Sequence, residues 1–326
     1  MKTVQFREAI CEAMSEEMRR DESVYLMGEE VAEYNGAYKA SKGMLDEFGE
    51  LRVIDTPISE AGFSGVGVGS TMVGARPIIE FMTFNFSLVG IDQIINNAAK
   101  IRQMSGGQFP CPIVFRGPTA SAGQLGATHS QAFESWFANC PGLKVIVPSN
   151  PYDAKGLLVA AVNDPNPVMY LEHKKLYRKP DIKMDVPLGL YEVEIGKGKI
   201  VKEGSDISIV TWSGMVSVAE QAAQELEKEG ISVEIVDIRT IFPLDEEIIL
   251  QSVEKTSNLC VLQEDVPFSS VASEISSMVA EKGFWNLDNP IVKVTPPNTH
   301  IPFAPVLEDA FIPSAEKVIK AIKELQ

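Results

Sequence analysis

The sequence predicts an α/β protein of two domains, each built on a mostly parallel sheet that is flanked by helices. Short apolar runs typical of buried strands alternate along the chain with segments whose apolar residues recur at helical spacing. The strand runs are continuously apolar, which is typical of parallel strands covered on both faces. The chain has 326 residues, and at about 100–200 residues per domain this length favours two domains.

The first half alternates between the two patterns from its N-terminus. A helix is predicted first, with apolar residues on one face at Val4, Phe6, Ala9, Ile10, Ala13, Met14 and Met18. Strands are predicted at 24–27, 53–55, 77–81, 113–115, 145–147 and 168–171. A second amphipathic helix is predicted between the third and fourth of these strands, from Ile91 to Ile101. We therefore predict a first domain at 1–185.

The second half repeats the alternation after a polar stretch. Residues 186–200 contain Pro187 and show little periodicity, which is typical of a linker. Strands are then predicted at 207–210, 233–236, 259–262 and 291–294, and helices at 216–226, 271–279 and 314–325. We therefore predict a second domain at 201–326.

Composition excludes several classes of partner. The chain carries 45 acidic and 29 basic residues, for a net charge of −16, whereas a nucleic-acid surface needs clustered Lys and Arg. No run of about 18 apolar residues occurs, so no membrane span is predicted. The four cysteines form no CxxC pair, and three histidines do not complete a Cys/His metal site.

The N-terminus resembles neither a signal nor a transit peptide. These features favour a soluble intracellular protein. We expect it in the bacterial cytoplasm, or in a mitochondrion or plastid only if a transit peptide has been removed.

Three segments directly follow predicted strands, at 55–60, 81–86 and 116–129, where ligands bind in α/β sheets. Between them, Gly62, Gly65 and Gly69 lack the lysine of a phosphate loop and predict a flat helix face that another backbone can approach. Glu60 alone is typical of an acid that complements a helix dipole. His129 fits a site role and a hydrogen-bonded structural role equally. From the residues alone, the reaction stays open.

Several longer runs resemble the β subunits of thiamine-diphosphate-dependent 2-oxo-acid dehydrogenases, most of all those of the pyruvate type. They are GEEVAEYNGAYK (28–39), DTPISE (55–60), EFMTFNF (80–86), IVFRGP (113–118), HSQ (129–131), CPGLKV (140–145), DIRTI (237–241) and PLD (243–245). They occur in the family's order nearly from end to end, which makes the resemblance more specific than any single motif. It implies a transketolase-like pyrimidine-binding domain followed by a transketolase C-terminal domain.

The resemblance implies roles for four side chains. Glu60 is expected to hydrogen-bond a pyrimidine ring nitrogen of thiamine diphosphate and to favour its imino tautomer. Met82 and Phe86 are expected to pack against the pyrimidine ring, since aromatic and thioether groups suit a flat ring. His129 is expected to handle protons or to steer transfer of the two-carbon unit to a lipoyl group.

The resemblance also implies partners and ions. The Gly-Asp-Gly…Asn motif that holds magnesium and the diphosphate is absent from this sequence. It is expected on an α subunit of an α2β2 heterotetramer, so this chain should be inactive alone. A dihydrolipoyl acyltransferase core is the expected acceptor of the acetyl group. Related β subunits bind potassium through oxygen ligands, at positions that match Ile113, Ala161, Val162, Asp164 and Asn166.

Three alternatives stay open at this point. The chain could be the β subunit of a branched-chain 2-oxo-acid or acetoin dehydrogenase, because the α chain also decides the substrate. A transketolase-like enzyme would carry the diphosphate motif in the same chain. A non-enzymatic subunit with a degenerate site would not need both Glu60 and His129.

Overall fold

The computed structural model describes residues 1–121, 123–178 and 182–325. It divides into two compact units, one of Met1–Thr119 with Trp136–Ile195 and the other of Ala120–Ser135 with Gly196–Gln326. The second unit therefore starts within the predicted linker 186–200, and it also takes in the short segment 120–135. No helix in the described part of the chain is both long and apolar enough to cross a membrane.

The first unit is built on a parallel sheet, as the continuous apolar runs predict. Its strands are β2 (Val24–Gly28), β3 (Val53–Asp55), β4 (Arg76–Glu80), β5 (Val114–Thr119), β6 (Lys144–Ile146) and β7 (Val168–His173). Six strands of this unit follow one another in the order β6-β7-β5-β4-β2-β3, and each neighbouring pair is parallel. A separate antiparallel pair joins β1 (Lys2–Gln5) to β8 (Lys183–Val186).

Helices cover this sheet. They are α1 (Phe6–Arg20), α2 (Met44–Phe48), α3 (Glu60–Thr71), α4 (Ala99–Met104), α5 (Glu134–Ala138), α6 (Pro151–Asn163) and α7 (Lys174–Arg178), with a 3-10 helix at Phe84–Leu88 and a π-helical turn at Gln93–Ala98. The predicted first helix is confirmed from Phe6 onward, but Val4 lies in β1, where it pairs with Met184. We did not predict α6, because most of its residues are buried and a helix that is buried nearly all round lacks the amphipathic period.

The glycine-rich segment forms α3, and its close approaches differ from the predicted ones. A Cβ at Gly67 would lie 2.8 Å from Ile79 Cδ1, and one at Gly65 would lie 3.2 Å from Gln93 Oε1. A Cβ at Gly69 would meet nothing within 4 Å. The side chains of Gln93 and Ile79 therefore approach the helix at Gly65 and Gly67. The predicted packing of a backbone along Gly62, Gly65 and Gly69 is not what the helix shows.

The second unit repeats the same architecture. Its strands are β9 (Lys199–Lys202), β10 (Ile207–Thr211), β11 (Val233–Asp237), β12 (Thr240–Phe242), β13 (Leu259–Leu262) and β14 (Val292–Val294). Five of them form a sheet in the order β14-β13-β10-β11-β9, with only β9 antiparallel to its neighbour. Its helices are α8 (Val216–Lys228), α9 (Glu246–Thr256), α10 (Val271–Lys282), α11 (Pro305–Phe311) and α12 (Ala315–Lys323), with 3-10 turns at Ala127–His129, Ser213–Met215 and Phe284–Asn286.

Candidate active site

Glu60 is the first residue of α3 and is only 5% exposed. The segment that leads to Glu60 begins at Asp55. The Asp55 carboxylate accepts hydrogen bonds from the backbone N–H groups of Ala32 at 2.7 Å and Glu33 at 3.1 Å. The Thr56 N–H also donates to the carbonyl of Gly28 at 3.0 Å. The segments that leave β2 and β3 are therefore held together at the carboxyl edge of the sheet, where ligands bind in such folds.

A second carboxyl group faces Glu60. Glu29 directly follows β2, is 4% exposed, and lies within hydrogen-bonding reach of the Glu60 carboxyl. Burial, and then the charge of Glu60, raise the pKa of Glu29 to about 7. Glu29 can therefore hold or release a proton near neutral pH. We did not single out Glu29 from the sequence, although its position in the 28–39 run at the end of a strand was an available signal.

Three buried polar atoms without partners belong to this pair or to the segments that hold it. In the described part of the chain, Glu29 Oε1, Thr56 Oγ1 and Ser64 Oγ are buried and have no hydrogen-bond partner. A Cβ at Gly90 would lie 2.9 Å from Ser64 Oγ and 3.0 Å from the Glu60 carbonyl oxygen. Buried polar groups are normally paired, so this cluster suits a polar ligand. The donor and acceptor groups of an aminopyrimidine ring fit a carboxyl pair and two hydroxyls of this kind.

Met82 and Phe86 lie on the segment that follows β4, and both are half-buried. The rings of Phe81 and Phe84 anchor this segment, with centroids 5.8 Å apart, and Phe81 lies 5.8 Å from Phe63 of α3. Because β3, β2 and β4 are adjacent parallel strands, the unit brings Glu60, Glu29 and this segment to one edge of its sheet.

His129 lies in the segment that groups with the second unit. It ends the 3-10 turn Ala127–His129 and is half-buried. Its Nδ1 atom forms a hydrogen bond with Thr128 Oγ1 at 2.8 Å. The ring is therefore oriented by its neighbour.

The predicted potassium ligands gather in one region of the first unit. Ala161 and Val162 stand near the C-terminal end of α6, and Asp164 and Asn166 follow that helix. The Ile113 carbonyl accepts the Val168 N–H at 2.9 Å, beside the same connection. No group of three or more His, Cys, Asp or Glu in the described residues could hold a metal ion.

Basic side chains already use these oxygens. Arg76 donates to the Val162 carbonyl at 2.8 Å, and Lys144 forms an ion pair with Asp164. A cation bound at the same oxygens would be repelled by these charges. Two of these oxygens are therefore already paired with basic side chains of the chain itself, and potassium binding at this site stays a prediction.

A buried ion network lies at the same edge of the sheet. Arg116, which is 1% exposed, donates to Glu172 at 2.7 and 2.6 Å and also pairs with Glu80. Burial by itself lowers the pKa of Arg116, but the two carboxylates outweigh burial and raise it. The Tyr177 hydroxyl joins the network, and the Tyr177 ring stacks on Tyr38 at 5.1 Å. The network thus supports the segment that begins at Glu29.

Comparisons with known families cover both halves of the chain. The transketolase pyrimidine-binding domain matches residues 2–180, and the transketolase C-terminal domain matches residues 196–318. A relative from Rhizobium meliloti (strain 1021), named pyruvate dehydrogenase E1 component subunit beta, is 49% identical over 99% of this chain and 70% of its own length. The mitochondrial protein of that name from Saccharomyces cerevisiae is 48% identical over 99% of this chain and 89% of its own. Because the relatives are both bacterial and mitochondrial, the compartment stays a prediction.

Solved structures show the same fold at low sequence identity. The chain matches a split-gene transketolase, described as an inactive beta4 tetramer, with a TM-score of 0.77 and 20% identity over 99% of this chain and 98% of that one. It matches transketolase from Campylobacter jejuni with a TM-score of 0.71 and 16% identity, over 99% of this chain and 47% of that one. The predicted fold class, with two transketolase-like α/β domains, is confirmed.

Proposed function

The chain belongs to the family of pyruvate dehydrogenase E1 component β subunits, and we propose that it is the β subunit of an acetyl-transferring pyruvate dehydrogenase. The complete enzyme would decarboxylate pyruvate and acetylate the lipoyl group of a dihydrolipoyl acyltransferase. The observation that carries this proposal is the buried Glu29–Glu60 carboxyl pair at the carboxyl edge of a transketolase-like sheet. The names of the relatives do not favour the branched-chain or acetoin alternative.

Thiamine diphosphate, when bound, supplies the nucleophilic carbon and the electron sink for decarboxylation. In our proposal Glu60 hydrogen-bonds a nitrogen of the pyrimidine ring. Its burial strengthens that bond, since charged groups interact more strongly in a site of low dielectric constant. Glu29, with a pKa of about 7, can hold or release a proton at neutral pH. Glu29 would therefore be able to exchange a proton beside the ring.

Three further side chains have proposed roles. Met82 and Phe86 would supply apolar surface to the pyrimidine, because both are half-buried and keep part of their surface accessible. His129 would take part in proton transfer or in steering the lipoyl group, since its residue is only half-buried and its ring is oriented by Thr128.

We also propose that the working enzyme is an α2β2 heterotetramer. Support comes from the sequence, which lacks the Gly-Asp-Gly…Asn motif for magnesium and the diphosphate. The α subunit would hold both of these groups. This chain would hold only the pyrimidine side of the cofactor and would be inactive without its partner.

Reconstitution tests the proposal. The chain is expressed with and without the α subunit encoded in the same organism, and thiamine-dependent decarboxylation of pyruvate, branched-chain 2-oxo acids and acetoin is measured. We expect activity only with the α subunit and a preference for pyruvate. Activity of the lone chain would overturn the subunit model, and a preference for branched-chain acids would overturn the substrate.

A matched pair of variants tests the role of Glu60. Glu60→Gln should abolish turnover while the heterotetramer still assembles, because the amide keeps the shape of the side chain but not its charge. Glu50→Gln makes the same change at an exposed position and should leave turnover unchanged. Near-normal turnover of Glu60→Gln would refute the assigned role.

A further inference from the structure

The segment that carries His129 is held by carboxylates that lie far away in the sequence. Residues 120–121 and 123–135 follow β5, yet they group with the second unit. The Ala120 N–H donates to the Gln131 carbonyl at 3.1 Å, which closes the segment into a loop with His129 near its end. A surface loop is otherwise among the more mobile parts of a protein, so its shape depends on what anchors it.

Glu264 anchors the beginning of the loop. It lies two residues after β13 and is 8% exposed. One of its oxygens accepts hydrogen bonds from both the backbone N–H of Ser121, at 2.9 Å, and the Ser121 hydroxyl, at 2.7 Å. Ser121 is fully buried. Hydrogen bonds to a buried carboxylate are among the stronger ones in proteins, so this contact fixes where the loop begins.

Two further carboxylates hold the rest of the loop. Glu308 of α11 is 4% exposed and accepts the Gln124 N–H at 3.3 and 3.2 Å. Gln124 has a φ of +55°, a conformation that costs energy for a residue other than glycine and persists only where the surroundings impose it. Asp265 accepts the Ser135 hydroxyl at 2.6 Å and fixes the end of the segment.

We propose that Glu264 and Glu308 are positioning residues for His129. Neither needs to touch substrate, because each acts on the backbone of the loop that carries the histidine. The inference rests on the proposed role of His129 and adds to it: the acids that position this side chain come from the C-terminal unit. Precise placement matters, since a displacement of about 1 Å in a reacting group can lower a rate by about 100-fold.

The test compares variants in the complex reconstituted with its α subunit. Glu264→Ala should lower kcat by up to about 100-fold with little change in KM for pyruvate. Glu264→Gln should restore most of the activity, because its amide oxygen still accepts both bonds from Ser121. Glu281→Ala, at an exposed position of the same unit, should have no effect.

A double variant shows whether the effect passes through His129. His129→Ala combined with Glu264→Ala should be no slower than His129→Ala alone, because residues that act through one group are not additive. Additive losses would overturn the positioning role. So would a normal kcat in Glu264→Ala and Glu308→Ala when His129→Ala is impaired.

Two results separate this inference from the proposed function. Full activity of His129→Ala would remove the role of the histidine itself, whatever Glu264 does. If Glu264→Ala fails to assemble, Ser121→Ala deletes only the hydroxyl donor and should give a smaller kcat loss that disappears in the His129→Ala background. An unchanged kcat in Ser121→Ala would then count against the proposal.

Discussion

Replacing Glu29 with glutamine should remove a pH dependence of stability that originates in the candidate active site. The pKa of Glu29 is raised from 4.5 to about 7, first by burial and then by Glu60. The folded chain therefore keeps a proton between these values that the unfolded chain has lost. The stability from this group is fully present below pH 4.5 and falls as the pH rises towards 7. Glutamine does not titrate, so Glu29→Gln lacks this dependence.

The size of the effect follows from the same values. A proton held by only one state changes stability by about 1.4 kcal/mol per pH unit. With a folded pKa of about 7, the group loses about 2.5 kcal/mol of its contribution between pH 5 and pH 8. For a chain of 326 residues this corresponds to about 4 °C in Tm. The value of Tm for the original chain, relative to Glu29→Gln, should therefore fall by that amount over this range.

The assay is thermal unfolding of both proteins across a series of pH values. Glu30→Gln is the matched control, because it makes the same change at the next residue, which is exposed, and it should run parallel to the original chain. Glu60→Gln should reduce the pH dependence without removing it, since burial contributes more than Glu60 does. Parallel curves for Glu29→Gln and the original chain would refute the raised pKa.

Three other expectations concern two buried charged groups and the candidate potassium site. Arg116→Met leaves two buried carboxylates without their cation and should lower the free energy of unfolding, measured in urea, by about 3–5 kcal/mol. Arg19→Met removes an exposed ion pair and should lower it by less than about 1 kcal/mol. Equal losses in the two variants would contradict the stabilising role of the network. Burial and neighbouring acids raise the pKa of Glu134 to about 8. Stability from this group therefore falls as the pH rises from 4.5 towards 8, and Glu134→Gln should flatten the dependence of Tm on pH over that interval. An unchanged dependence would contradict the raised pKa. If potassium binds at the predicted oxygens, exchange of sodium for potassium should raise Tm until the site saturates. An unchanged Tm would show that Arg76 and Lys144 keep these oxygens.

Sequence patterns predicted the elements that are exposed on one side or apolar throughout a short strand. The strands that precede Glu60 and Met82 follow from such runs, and so does α8 with its amphipathic face. Two elements were not recognised from their period. Helix α6 is buried nearly all round, and β1 carries Val4, which also fits the period of the helix that follows it.

Glu60 was singled out from its place in a run of family residues, whereas Glu29, which lies in another such run, was not. The difference is physical: the pKa of Glu29 depends on burial and on a partner 31 residues away, and neither is visible in local sequence. The candidate potassium ligands show the opposite case. Their positions match the family, but the arginine and lysine that use their oxygens approach from other parts of the chain.

The sequence by itself determined the alternation of strands and helices, the two-domain α/β class and the segments at the strand ends, because these depend on local apolar patterns. Only the tertiary structure decided that two carboxyl groups meet at Glu29 and Glu60, and that the loop of His129 groups with the C-terminal unit. Both depend on desolvation and on hydrogen bonds between residues distant in the chain, such as Ser121 and Glu264. Burial gives these contacts their strength, and burial is a property of the folded chain.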